Sequence, residues 1–203
     1  MNYNDENIPV KIIMVGSINV GKTSLVTKYS TGKNPKKVLT TKNASCVRKI
    51  KEVNGIKFEI KLWDTAGQEK YKSLTKLYIK EAKIVILVYS IDNEESFNEL
   101  DDWLNLIRSM NDEEVLYGIC ANKSDLASEN TIPDKKRKEY AKKINAEWAS
   151  TSAIINGKGI DTIIETLFLK YYYNNIGRDT FSSNNILNKS FIEKKRMLLL
   201  WMN

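Results

Sequence analysis

Eight consecutive residues, Gly16-Ser17-Ile18-Asn19-Val20-Gly21-Lys22-Thr23, constrain the fold of this chain more than any other stretch. They have the spacing GxxxxGK[ST], and they lie between the β-branched run Val10 to Val15 and a helical pattern over Lys22 to Tyr29. A strand that feeds such a loop into a helix aims several backbone N–H groups and the positive end of the helix at one point. That point suits phosphate. The stretch from Ser17 through Ile18, Asn19, Val20 and Gly21 to Ser24 surrounds its oxygens, Lys22 adds a point charge, and Thr23 offers a hydroxyl to Mg²⁺. For this motif alone, a glycine turn that happens to precede a helix is the competing reading.

The rest of the chain repeats the strand-then-helix order. Cys46 to Val53 and Ile56 to Trp63 alternate apolar with charged residues around Asn54-Gly55, a strong hairpin signal. Apolar runs at Ile84 to Tyr89 and Val115 to Ala121, and a short strand at Glu147 to Ala149, alternate with helical stretches at Glu94 to Met110, Lys135 to Ile144 and Ile160 to Tyr173. The pattern predicts an α/β fold: a mostly parallel six-stranded sheet with one antiparallel edge strand and helices on both faces. Ligands of such sheets bind beyond the carboxyl ends of the strands. From about Ile176 the composition turns to Asn, Ser and Lys, which predicts a flexible linker over Asn174 to Ser190.

Composition removes whole classes of chemistry. There is no histidine among the 203 residues, so imidazole acid–base catalysis and histidine-ligated zinc are excluded. Cys46 and Cys120 form no metal-ligand spacing, and a reducing, cytoplasmic setting is the expectation. The net charge of +7 comes from lysines scattered among glutamates without an aromatic-basic recognition motif, so no nucleic-acid partner is expected. No secretory leader and no apolar run long enough to span a bilayer is visible.

Three further segments address the ligand. Asp64, ending the second hairpin strand in Trp63-Asp64-Thr65-Ala66-Gly67-Gln68-Glu69, is placed to hold a magnesium water. Gly67 permits close approach to a terminal phosphate, and Gln68 has the donor and acceptor needed to orient an attacking water. In Asn122-Lys123-Ser124-Asp125 the Asp125 carboxylate can accept from the N1–H and exocyclic amine of guanine, whereas adenine would leave it unpaired. Ser152-Ala153 can supply a backbone amide to the base oxygen.

With GSINVGKT, WDTAGQE, NKSD and TSA in order, the sequence resembles the Ras superfamily of small GTPases, and within it the Rab branch, closest to endosomal members. The resemblance covers residues 8–174 and implies a P-loop NTPase G domain there, with a flexible hypervariable tail over 175–203. It implies a monomeric GTP/GDP switch in vesicle trafficking that carries Mg²⁺ on Thr23, Thr41 and Asp64. Lys22, Thr41 and Gln68 would then serve slow GTP hydrolysis. Thr41 is assigned by this resemblance, at the family's interval of eighteen residues from Thr23, in preference to Thr40. Effectors, an exchange factor and an activator would read the loops around 34–46 and 64–80. A second reading keeps the fold as a nucleotide-locked binding module without turnover.

The departures carry expectations of their own. Ile18 replaces a small residue beside the γ-phosphate position and should slow hydrolysis. Asn34 replaces a base-stacking aromatic and Ile154 a lysine, so weaker nucleotide retention is expected. Cys46 replaces the phenylalanine of an aromatic trio whose other members, Trp63 and Tyr78, are kept. Neither prenylation cysteines nor a myristoylation signal is present, which leaves the basic-apolar segment Phe191 to Trp201 as the candidate for peripheral contact with endomembranes.

Overall fold

The computed structural model describes residues 7–35, 41, 44–65, 77–111, 114–128, 131–155 and 158–176. Contacts divide the chain into two units, residues 1–167 and 168–203. In the first, six strands form one sheet of order β2-β3-β1-β4-β5-β6. They are β1 (Ile8–Val15), β2 (Ser45–Val53), β3 (Ile56–Asp64), β4 (Ile84–Ser90), β5 (Leu116–Asn122) and β6 (Glu147–Ser150). Only the β2–β3 pair is antiparallel, so the expected mostly parallel sheet with one antiparallel edge is what forms.

Strand position follows burial. Every residue of β4 is buried, as its unbroken apolar sequence Ile-Val-Ile-Leu-Val-Tyr requires at the centre of a sheet covered on both sides. By contrast, β2 alternates and is rich in Arg and Lys, as suits an edge. The β2–β3 hairpin turns at Asn54 (φ 52°) and Gly55 (φ 77°), and positive φ at both positions matches the twist of the flanking strands.

The helices are α1 (Lys22–Thr31), α2 (Glu94–Asn98), α3 (Leu100–Met110), α4 (Asp134–Lys143) and α5 (Lys158–Asn175). Leu100, Trp103, Leu104 and Ile107 on α3 recur at helical spacing and pack with Ile13, Val85, Leu87 and Ile119 in one apolar cluster. Towards the opposite face, α1 lies on β3, and Ile163 and Leu167 of α5 approach Gly118 of β5.

The largest departure from the sequence expectation is in one helix. The single helix predicted over Glu94 to Met110 is two helices divided at Glu99, whose ψ of −8° flattens the helical path. The Glu99 carboxylate is engaged elsewhere: it accepts a hydrogen bond from the Ser17 hydroxyl.

In the second unit, residues 168–176 carry the last turns of α5. The Tyr172 and Tyr173 rings meet edge to face with centroids 5.2 Å apart. Asn174 and Asn175, expected to open the linker and the tail, still belong to α5, and the expected linker and tail beyond residue 176 lie outside the described residues. Among the described residues, no helix is long and apolar enough to cross a membrane.

Candidate functional site

The site lies at the carboxyl ends of β1, β3 and β5, where the strand register brings three loops side by side. After β1 the chain turns through Gly16, and Gly21 adopts φ +92° immediately before α1. A Cβ at Gly21 would stand 2.4 Å from the amide nitrogen of Asn122, so only glycine fits between this loop and the one after β5. Asn19 also takes a left-handed conformation, at φ 61°.

Lys22 opens α1 and is buried, its Nζ donating to the carbonyls of Gly16 and Ser17 at 2.8 Å each. Burial pushes its pKa down to about 8, against the opposing pull of the Asp64 carboxylate. One residue on, Thr23 Oγ1 lies 2.5 Å from Thr41 Oγ1, so the pair expected to flank a metal is brought together. Burial raises the Asp64 pKa, partly offset by a hydrogen bond from Thr23 and by the Lys22 charge. A hydroxyl has one proton, so if Thr23 serves Asp64, Thr41 is the donor between the threonines.

Asp64 Oδ1 is buried with no hydrogen-bond partner. An orphaned carboxylate oxygen is costly unless something completes it. No cluster of three or more His, Cys, Asp or Glu occurs among the described residues. The donor set is therefore two hydroxyls and one carboxylate, which suits Mg²⁺, an ion that takes a few protein oxygens and fills its shell with water and phosphate. Thr23, Thr41 and Asp64 fit that ion.

The second cluster surrounds Asp125. Its Oδ1 accepts from Ser152 Oγ at 2.5 Å, and Ser152 Oγ in turn accepts from the backbone N–H groups of Ile154 and Ile155 at 3.1 Å each. One hydroxyl thus fixes both the carboxylate and the turn carrying Ala153, which is buried. Lys123, at φ 60°, is the left-handed bend that separates Asn122 from Asp125.

Asn122 joins the two clusters. Its Nδ2 donates to Val20 O at 2.7 Å in the loop after β1, and its Oδ1 accepts from Thr151 Oγ1 at 3.1 Å in the loop after β6. The Ser124 N–H donates to Thr151 O at 3.0 Å, which closes the brace. Sequence reasoning quoted Thr151 only as the first residue of TSA and gave it no role, and it missed Glu99. Thr151 adjoins Ser152-Ala153 and could have been suspected from that position, whereas nothing local marked Glu99.

The remaining expected residues are placed as follows. Ser24 is half-buried on α1, Val20 is buried, and Ile18 is 41% exposed at the loop's tip. Asn34 Oδ1 accepts from Lys28 Nζ at 2.6 Å, and Ile154 and Ile155 are exposed. Gly67, Gln68 and Thr40 lie outside the described residues, as does much of the segments 34–46 and 64–80.

Residues 11–173 match the family model described as "Ras family". The chain is 36% identical over 146 residues to Ras-related protein Rab-21 of Geodia cydonium, covering 72% of this chain and 64% of that protein. It is 34% identical over 143 residues to Ras-related protein RabJ of Dictyostelium discoideum, with 70% and 56% covered. Human Ras-related protein Rab-30 is 34% identical over 169 residues, with 83% and 81% covered. The chain therefore spans less than two thirds of the length of the first two relatives. A match of this extent, over the segment that holds both clusters, shows that the chain belongs to the Ras family of small GTPases, on its Rab branch.

Proposed function

We propose that the protein is a guanine-nucleotide switch of vesicle trafficking that alternates between GTP and GDP and hydrolyses GTP slowly. One observation carries the reading: the Asp125 carboxylate, fixed by Ser152, is linked through Asn122 to the loop that holds Lys22. A group that selects guanine is thereby held in a set relation to one that binds phosphate.

In this reading the backbone from Ser17 to Ser24 cradles the phosphates, and Lys22 contributes its ammonium. Thr23, Thr41 and Asp64 would hold Mg²⁺, which when bound neutralises phosphate charge. Gln68 orients the attacking water. With no histidine and no base of ordinary strength at hand, acceleration comes from positioning and fixed charge. Thr41 and Gly67 change their surroundings with the γ-phosphate, and the segments 34–46 and 64–80 present that change to effectors and regulators.

The test is direct. Nucleotide extracted from purified protein should be GDP or GTP, ATP should fail to compete, and preloaded GTP should convert slowly to GDP and phosphate. Equal competition by ATP refutes the reading of Asp125. Stable occupancy by GTP without conversion would establish the locked-module alternative instead.

A further inference from the structure

The Glu99 side chain is used for a contact outside its own helices. Glu99 stands where α2 ends and α3 begins, and a side chain at such a position can cap the first turn of the following helix. Glu99 makes no such bond. Its carboxylate instead accepts from the Ser17 hydroxyl, 82 positions away in the loop after β1. Among the described residues, that hydroxyl is the carboxylate's one hydrogen-bond partner. The backbone that carries the carboxylate is rigid: the Glu99 N–H donates to Glu95 O at 2.9 Å, the Glu99 carbonyl accepts from the Trp103 N–H at 3.2 Å, and both Leu100 and Trp103 are buried.

Ser17 in turn holds Lys22. Of the three N–H groups on the Lys22 ammonium, one donates to Gly16 O and one to Ser17 O at 2.8 Å each, which leaves one for a phosphate oxygen. The direction of that third N–H is set by where the two carbonyls stand.

Each carbonyl has its own fixture. Gly16 lies so close to β4 that a Cβ on it would collide with Val88 O, so backbone packing fixes its place. Ser17 is fixed through its side chain, which is buried and bonded to Glu99. A negative charge beside a loop that receives phosphate opposes the ligand, so charge alone would favour a neutral group at this position. A local rule broken in this way points to a functional role.

We infer that Glu99 is a positioning residue for phosphate binding, acting through Ser17 to fix the direction in which Lys22 presents its remaining N–H to the β-phosphate of a bound nucleotide. The inference rests on the switch reading for the ligand itself. It adds to that reading a residue from the junction of two helices that the phosphate loop does not contain.

The test measures GDP affinity by competition titration in excess Mg²⁺, together with the phosphorus NMR resonance of the bound β-phosphate. The proteins are the full chain and its variants Glu99→Ala, Ser17→Ala, the two combined, and Glu99→Gln. Each alanine substitution should weaken GDP by about fivefold to tenfold and move the β-phosphate resonance. The double variant should bind within about twofold of the weaker single, because both changes break one contact. Glu99→Gln keeps an oxygen that accepts from Ser17, and should return affinity and resonance close to those of the parent. Ser17→Ala leaves α3 intact, so it must show the loss even where Glu99→Ala loosens the α2–α3 junction.

Losses that add in the double variant, or a Glu99→Gln variant as weak as Glu99→Ala, overturn the proposal. So does weaker binding with the β-phosphate resonance unmoved, which makes the contact a structural one. A parent that binds no guanine nucleotide refutes the switch reading and this inference with it, whereas a parent that binds GDP no better than the alanine variants refutes the inference alone.

Discussion

Asn122→Ala probes the brace between the two clusters. The substitution removes the donor to Val20 O at 2.7 Å and the acceptor of Thr151 Oγ1 at 3.1 Å. Val20 and Thr151 are both buried, so a carbonyl and a hydroxyl lose their partners where water does not readily replace them. At about 1–3 kcal/mol for each orphaned group the loss is roughly 2–6 kcal/mol, which lowers the melting temperature of a domain this size by on the order of 10 °C. The geometry supplies a sharper test through Gly21. A Cβ there meets only Asn122 side-chain atoms within 4 Å, so Gly21→Ala combines a steric clash with the strain of φ +92° in the parent. In the Asn122→Ala background the clash is gone and only the backbone strain, about 1–3 kcal/mol, remains. Urea unfolding of the parent, the two single variants and the double variant should show the double less destabilised than the sum by more than about 1 kcal/mol. Additivity within about 0.5 kcal/mol would refute the idea that these residues press on one another.

Four further outcomes follow from the site. Ile18→Ser should raise the single-turnover rate of GTP hydrolysis, and an unchanged rate would remove Ile18 from the account of slow turnover. Ser152→Ala should weaken GDP roughly tenfold in a competition titration, because Asp125 loses its donor and the turn at Ile154 and Ile155 loses its acceptor. Asp64→Asn removes a charge whose Oδ1 is buried without a partner, so it should stabilise the nucleotide-free chain by about 1 kcal/mol while abolishing the added thermal stability that Mg²⁺ confers on the GDP complex. The Cys120 thiol is pushed up to about 12 by burial, so the folded state keeps a proton that the unfolded chain loses near the ordinary thiol pKa of about 8.5. Stability present below that value should therefore be lost as pH rises toward 12, and Cys120→Ala should flatten the fall in urea midpoint between pH 8 and 11.

Much of the scaffold could be read from the chain because each element announces itself locally. The apolar runs and the alternating segments gave the strands, Asn54-Gly55 the hairpin, and the spacing of Gly16, Gly21, Lys22 and Thr23 the loop that leads from β1 into α1. The pairing of Thr23 with Thr41 follows the family's spacing and is met at 2.5 Å. What stayed hidden depends on residues distant in sequence. Asn122 reaches Val20 across 102 positions and Ser17 reaches Glu99 across 82, and no periodicity encodes such contacts. The division of the helix at Glu99 was missed for the same reason, since helical propensity favours continuity there. The alignment of Arg48, Lys61 and Lys11 across β2, β3 and β1 was equally illegible, because it exists only once the register of three strands is known.

The hairpin tip has a practical use. Asn54 and Gly55 adopt the turn that the strands demand, and a Cβ at Gly55 would meet nothing within 4 Å. Strand β3 runs nine residues from Ile56 to Asp64, about 30 Å at the usual rise per residue. A fluorophore or affinity tag grafted at the crest would ride on the same rod as the buried carboxylate yet stand clear of it. Such a beacon could report tumbling and partner capture in real time without disturbing the loops around Asp64 and Asp125.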